Sequence, residues 1–278
     1  MLTCALLALA SVARGQSAVD QQPLVPPQPG HAIVTLATRP DVTLRVLLIQ
    51  PPQPKAAVVL FAGGTGMVGI RPTGVERGEG LLIAHREQLA QAGLMVAIPD
   101  APSDHDGPLA LTGFRTSVEH AQDAAAVIRL LRQRANVPVW VVGGSRGSVS
   151  AVNAAARLRR DQGPDGLVIL SSLLVPSGQA DTDVVFNVPL SRIYQPTLIV
   201  HHREDACEAT PYSALRRLEG AFTLARPREV KAYAGGGPVT GPPCGAGHHH
   251  GFVGIGRQVL QDVTAWILAH PPKMPLRR

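Results

Sequence analysis

Five short, almost wholly apolar runs recur along this chain: Ala57–Phe61, Leu94–Ile98, Val139–Val142, Leu167–Leu170 and Thr197–His201. Runs of this length, apolar on both alternating faces, suit strands of a parallel sheet buried on both sides. Between and after them lie stretches with helical spacing: Leu81–Ala92, Phe114–Arg134, Arg146–Leu158, Pro211–Leu218 and Phe252–His270. In Phe114–Arg134 the residues Phe114, Val118, Ala121, Ala125, Ile128 and Leu131 step by three and four and mark a buried face. Strands alternating with helices predict a mostly parallel sheet covered on both faces. Ahead of them, His31–Thr38 and Thr43–Ile49 flank the turn residues Arg39-Pro40-Asp41 and read as an antiparallel pair. Glu229–Ala234 adds a late strand. With 278 residues, 45% of them hydrophobic and 17% charged, the chain can bury one large core. No internal repeat and no shift of composition marks a second domain.

The first eighteen residues, MLTCALLALASVARGQSA, carry an apolar stretch from Leu2 to Val12 that is too short to span a bilayer, followed by small residues suited to cleavage. Residues 1–18 are therefore expected to be a secretory signal peptide, although no Lys or Arg precedes the apolar stretch. Residues 19–30, VDQQPLVPPQPG, read as a disordered Pro/Gln-rich linker, and 31–278 as the folded domain. The expected location is periplasmic or extracellular. No other apolar run is long enough for a membrane span. The net charge of +6 comes from scattered residues, and aromatics make up only 4%, so no nucleic-acid surface is expected. A small-molecule substrate is expected, and nothing in the sequence indicates an oligomeric state.

The run ending at Val142 stops in Gly143-Gly144-Ser145-Arg146-Gly147, a G-x-S-x-G. A sharp strand-to-helix turn lifts a serine hydroxyl above a sheet and crowds the residues two before and two after it, which favours glycine at both. A helix N-terminus at that point also favours a developing anion. Ser145 is the candidate nucleophile, and the backbone N–H of Arg146 is a candidate donor to an oxyanion. A second donor is expected from the loop after the Ala57–Phe61 strand, Ala62-Gly63-Gly64-Thr65-Gly66, with Gly64 and Thr65 favoured.

A serine needs a base, and the base a carboxylate to orient it. In this topology both follow the serine along the chain. Asp205, just past the PTLIVHH strand, is the candidate acid, with Glu204 second. His248, His249 and His250 are candidate bases. His250 is favoured because Gly251 and Phe252 follow directly and start the last helix, a placement that fixes a side chain best. Of the three cysteines, Cys4 lies in the signal segment. That leaves Cys207 and Cys244 as an expected disulfide tying the acid loop to the histidine loop.

Other chemistries fit less well. Gly64-Thr-Gly66-Met-Val-Gly69 imitates a dinucleotide-binding loop, but Pro72, Gly74, Gly78 and Gly80 block the helix that motif requires, and the next strand-ending acid, Asp100, comes too late. Consecutive histidines cannot all face one metal ion, and no zinc spacing appears; no metal or cofactor is expected. Arg146 and Arg203 would make a cleft positive. Asp100, Ser103, Asp104 and His105 would line a mouth or cap a turn. The same triad would serve an amidase or peptidase, and a non-catalytic binding protein could keep the fold.

AGGTG after the third strand, GGSRG after the fifth, HHREDAC after a later strand and HHHGF before the last helix together resemble the α/β-hydrolase superfamily. The resemblance spans residues 31–270 and is nearest to small exported bacterial hydrolases of the dienelactone-hydrolase or carboxylesterase type. It implies an eight-stranded, mostly parallel sheet with helices on both faces and ester hydrolysis through Ser145, His250 and Asp205. Arg146 departs from the small residue many relatives carry after the nucleophile. The short segment before Thr197 leaves no room for a large lid.

Overall fold

A computed structural model describes residues 28, 30–76, 80–159, 162–176, 178 and 183–271. The expected signal peptide, and the linker apart from Gln28 and Gly30, lie outside the described residues.

Among the described residues ten strands form: β1 (His31–Arg39), β2 (Val42–Ile49), β3 (Ala56–Phe61), β4 (Ile70–Arg71), β5 (Gly74–Val75), β6 (Leu94–Pro99), β7 (Val139–Gly144), β8 (Gly166–Leu170), β9 (Thr197–His202) and β10 (Arg228–Tyr233). Eight of them make one sheet in the order β1-β2-β6-β3-β7-β8-β9-β10, while β4 and β5 pair by themselves. β3 and β6 to β10 run parallel, and β2 is antiparallel to both of its neighbours. The apolar runs are strands buried on both faces, as expected: every residue of β3, β6 and β9 is buried.

Within those runs the side chains still alternate. Val59, Val141, Ile169 and Ile199 pack toward helices α3 (Val118–Arg134), α4 (Gly147–Arg157) and α5 (Leu215–Ala221). Val58, Trp140, Val168 and Leu198 pack toward α1 (Leu81–Ala84), α2 (Arg86–Gln91) and α6 (Gly256–Ala269). Each such aliphatic residue contributes about 1.5–3 kcal/mol. Trp140 pairs in register with Gly166, where a Cβ would stand 2.2 Å from the indole ring, so the glycine makes room for the tryptophan.

Four helices differ from expectation. In Pro211–Leu218 a 3-10 turn, Tyr212–Ala214, comes first and α5 starts only at Leu215. Leu81–Ala92 is two helices, because His85 leaves helical geometry and its Nδ1 donates to Leu81 O at 3.0 Å. The helix expected from Phe114 begins at Val118, where the Ser117 hydroxyl caps it by accepting from His120 N–H at 3.0 Å. Val118 is consequently on the first exposed turn, 50% accessible, and not on the buried face. The last helix starts at Gly256 and not at Phe252, because Phe252 takes a left-handed conformation, φ 57°.

Between β8 and β9 the described residues hold only two 3-10 turns, Val185–Asn187 and Leu190–Arg192, and no lid is evident. Among the described residues no helix is long and apolar enough to cross a membrane. The chain goes from β3 to β6 on one side and then to β7 on the other. The strand order thus reverses at β3, and the carboxyl ends beside it are where such sheets bind ligands.

Candidate active site

The ends of β3 and β7 are paired, Phe61 with Gly143, so the loop after Phe61 and the turn after Gly144 leave the sheet side by side. Ser145 sits on that turn with φ 54°, a left-handed conformation that costs a non-glycine residue about 1–2 kcal/mol. Its N–H donates to Leu170 O at 2.9 Å. The crowding expected of the motif is present. A Cβ on Gly143 would stand 2.1 Å from Gly147 O, and one on Gly147 would stand 2.2 Å from Phe61 O. Gly144 is different: its Cβ would meet only Leu82 at 3.7 Å.

Ser145 and His250 line one cavity of about 760 Å³ with Gly63, Gly64 and Thr65. Val68, Leu81, Leu82, Ile83 and Phe252 give it apolar walls, and the Arg71–Glu76 ion pair, 3.0 Å, borders it. Leu81 and Leu82 stand in it because the chain turns into α1 there. Of the residues expected to block a helix behind the dinucleotide-like glycines, Pro72 and Gly74 belong to the β4–β5 hairpin and Gly80 precedes α1, while Gly78 lies outside the described residues.

Asp205 and His250 are joined: His250 Nδ1 lies 3.1 Å from Asp205 Oδ2. The Asp205 side chain is wholly buried. Burial pushes its carboxyl up, but the bonds from His250, from Cys207 N–H at 3.0 Å and from the Thr210 hydroxyl at 2.9 Å outweigh this and hold it below the usual carboxylate range. Thr210 Oγ1 also stands 3.2 Å from His250 Nδ1, so the ring N–H meets acceptors on both residues. Ser171 Oγ donates to His250 O at 2.9 Å and fixes the backbone there. The Ser145–His250 hydrogen bond is not among the contacts of the described residues. Such bonds commonly close only when substrate is present.

The alternatives separate cleanly. The Glu204 carboxylate accepts from Gly235 N–H at 3.1 Å, away from His250. His249 stacks on His202, with ring centroids 4.5 Å apart, and its Nδ1 lies 3.3 Å from Glu204 O. Of the three consecutive histidines only His250 meets Asp205. The reason differs from the expected one: His250 lies in a 3-10 turn, His249–Gly251, and the left-handed Phe252 separates that turn from the last helix.

Cys207 and Cys244 form a disulfide across a separation of 37 residues, joining the acid loop to the loop before His250.

Ligand atoms of His202, Glu204 and His249 lie within 4.8 Å of one another. The two imidazoles are only 8° from parallel, whereas one ion must lie near the plane of both rings. Both nitrogens of His202 also serve the backbone, toward Glu204 N–H at 3.1 Å and Gly235 O at 2.9 Å. The arrangement does not suit a metal.

Arg146 and Arg203 do not line the cavity. Arg203 instead donates to Tyr212 Oη at 2.9 Å. Asp100 accepts from Val68, Gly69 and Ile70 N–H and shapes the loop beside the cavity. Ser103 accepts from Thr43 N–H, Asp104 pairs with Arg39, and His105 stacks on Phe114; none of the three lines the cavity.

The loop after β3 has every carbonyl from Ala62 to Thr65 bonded. Ala62 O and Gly64 O accept from Arg115, Gly63 O from Gly66 N–H, and Thr65 O from Leu111 N–H. The N–H groups of Gly63, Gly64 and Thr65 donate to no acceptor among the described residues. Gly63 thus joins the expected donors Gly64 and Thr65.

Sequence reasoning missed Thr210, Ser171 and Arg115. Ser171 had a signal, a polar residue directly after a buried strand at the sheet's carboxyl end. Arg115 had none, since it sits inside what reads as a helix face.

No protein-family model matches the chain, and no curated protein matches its sequence. Solved structures do match. A dienelactone hydrolase from Anabaena variabilis superposes with a TM-score of 0.60 at 16% identity, over 90% of this chain and 100% of that one. An esterase from the planctomycete Thermogutta terrifontis gives 0.60 at 17%, over 89% and 96%. A lidless α/β serine hydrolase from Xanthomonas campestris gives 0.55 at 18%, over 91% and 100%.

Proposed function

We propose that this chain, an α/β-hydrolase by fold, is a serine hydrolase that cleaves small carboxylic esters. The observation that carries the reading is the Asp205–His250 bond at 3.1 Å, with His250 lining the same cavity as a serine held at positive φ.

Ser145 Oγ attacks the ester carbonyl carbon while His250 Nε2 takes its proton. His250 Nδ1–H stays bonded to ionised Asp205, which fixes the tautomer and stabilises the imidazolium. The carbonyl electrons move onto oxygen, and that oxyanion accepts from backbone N–H groups of the 63–65 loop and of Arg146. Each donor contributes about 3 kcal/mol to the transition state. His250 returns the proton to the departing alkoxide, and an acyl-Ser145 remains. Water, deprotonated by His250, then releases the acid and restores the serine. No metal or cofactor takes part. Esters are preferred over amides here because the apolar walls suit an acyl chain and similar folds include esterases. Export is part of the proposal: the Cys207–Cys244 disulfide is the pairing an oxidising compartment allows.

A fluorophosphonate probe tests the reading. Labelling of Ser145, located by peptide mass and lost in His250→Ala, is expected. An unlabelled Ser145 would leave a binding protein. Ester and amide substrates in parallel separate the esterase from the amidase or peptidase.

A further inference from the structure

Arg115 is 1% exposed, and a buried cation is strongly disfavoured unless its hydrogen bonds are met. Its guanidinium donates to Gly64 O at 3.1 Å, to Ala62 O at 3.3 Å and to Ser150 Oγ at 2.7 Å. Its own backbone N–H is held by Asp183 at 2.9 Å. One side chain therefore ties the loop after β3 to the helix that starts behind Ser145.

Those two carbonyls have a geometric consequence. In a trans peptide the N–H points opposite to the C=O. The Ala62 carbonyl shares its peptide with the Gly63 N–H, and the Gly64 carbonyl with the Thr65 N–H. With both oxygens on the guanidinium, the N–H groups of Gly63 and Thr65 point away from Arg115. Gly63 and Thr65 line the cavity, and Arg115 does not. A charged donor on a carbonyl also polarises that peptide and strengthens its N–H as a donor. Gly66 permits the approach, since a Cβ there would stand 2.8 Å from the Arg115 guanidinium and 2.5 Å from Leu111 Cδ1.

We propose that Arg115 is the positioning residue of the oxyanion site: it aims and polarises the Gly63 and Thr65 donors and locks them to the Ser145 helix. The proposal rests on the serine-hydrolase reading above.

Two variants test it. Arg115→Lys keeps a cation but lacks the fork that reaches both carbonyls and Ser150 together. Ser150→Ala removes the helix anchor alone. Fluorophosphonate labelling of Ser145 in the unaltered protein comes first, and its failure removes the enzymatic reading and this one with it. Given labelling, Arg115→Lys is expected to lower kcat on a p-nitrophenyl ester by on the order of 30–100-fold, with KM within about twofold. Ser150→Ala is expected to lower kcat about 3–10-fold. Affinity for a boronic acid, which forms a tetrahedral oxyanion on Ser145, should fall by a similar factor. Affinity for an ether isostere of the substrate, which has no carbonyl, should not. A folded Arg115→Lys with kcat within about twofold of the unaltered enzyme overturns the proposal, as does equal weakening of boronic acid and ether. Should Arg115→Lys not fold, Ser150→Ala decides on the same ratio of boronic acid to ether.

Discussion

The Ser171 hydroxyl donates to the backbone carbonyl of His250 at 2.9 Å, joining the end of β8 to a loop 79 residues further on. Ser171 holds φ 40°, so the contact is made from a strained backbone position. Removing the hydroxyl in Ser171→Ala leaves the buried carbonyl without that donor, at a cost of about 1 kcal/mol. Steady-state kinetics on a p-nitrophenyl ester should show kcat reduced about fivefold with little change in KM. An unaltered kcat would mean that the His250 backbone is held well enough by its remaining bonds.

The glycines of the serine turn are not equivalent. Gly143→Ala and Gly147→Ala each drive a methyl into backbone, at 2.1 and 2.2 Å, and should cost about 3 kcal/mol or more. Gly144→Ala meets only the end of Leu82 at 3.7 Å and should unfold within about 1 kcal/mol of the unaltered protein. Urea unfolding of the three variants checks this, and equal midpoints would remove the steric reading of the motif.

Closing a loop of 37 residues with the Cys207–Cys244 bridge should contribute about 3–4 kcal/mol in the chain-entropy account. Unfolding with and without reductant, compared with Cys207→Ser/Cys244→Ser, measures it. Activity should fall too, because the Cys207 N–H holds Asp205 Oδ1 at 3.0 Å. A reduced protein with unchanged midpoint and rate would count against both effects.

Acid stability should be set largely by buried histidines. Burial, reinforced by the neighbouring Arg115, His105 and Arg39 charges, lowers His120 to about 3. Burial also lowers His201, although Asp205 opposes this. Each is depressed below its unfolded value, so between roughly pH 6.5 and the folded value the unfolded chain binds the extra proton and stability falls as pH drops. For His120 alone the slope is about 1.4 kcal/mol per pH unit. Neither ring nitrogen of His120 has a hydrogen-bond partner among the described residues, so His120→Leu should flatten this limb without losing a hydrogen bond. Unfolding at pH 7, 6 and 5 reads it. That range stays above the region where Asp205, with its lowered carboxyl, gives up its own contribution on protonation. Identical slopes for the two proteins would refute the assignment.

By itself the sequence determined the sheet, because a fully apolar run bounded by helical spacing has few other places to go. It determined the serine turn, because steric crowding at a strand-to-helix elbow writes itself into glycines two residues either side of Ser145. It also narrowed the candidate acid and base to two short loops, and the disulfide followed from two remaining cysteines. These are signals carried by neighbours along the chain.

The sequence favoured His250 over His248 and His249 only from its place ahead of the last helix; which ring meets Asp205 across 45 residues was decided by the tertiary structure. The tertiary structure alone brought Arg115 under a loop 51 residues earlier and Ser171 onto the histidine loop. Such contacts join elements adjacent in space but distant in sequence. The residues that make them look locally like ordinary helix or loop positions, so only the packed sheet and its helices reveal what they hold.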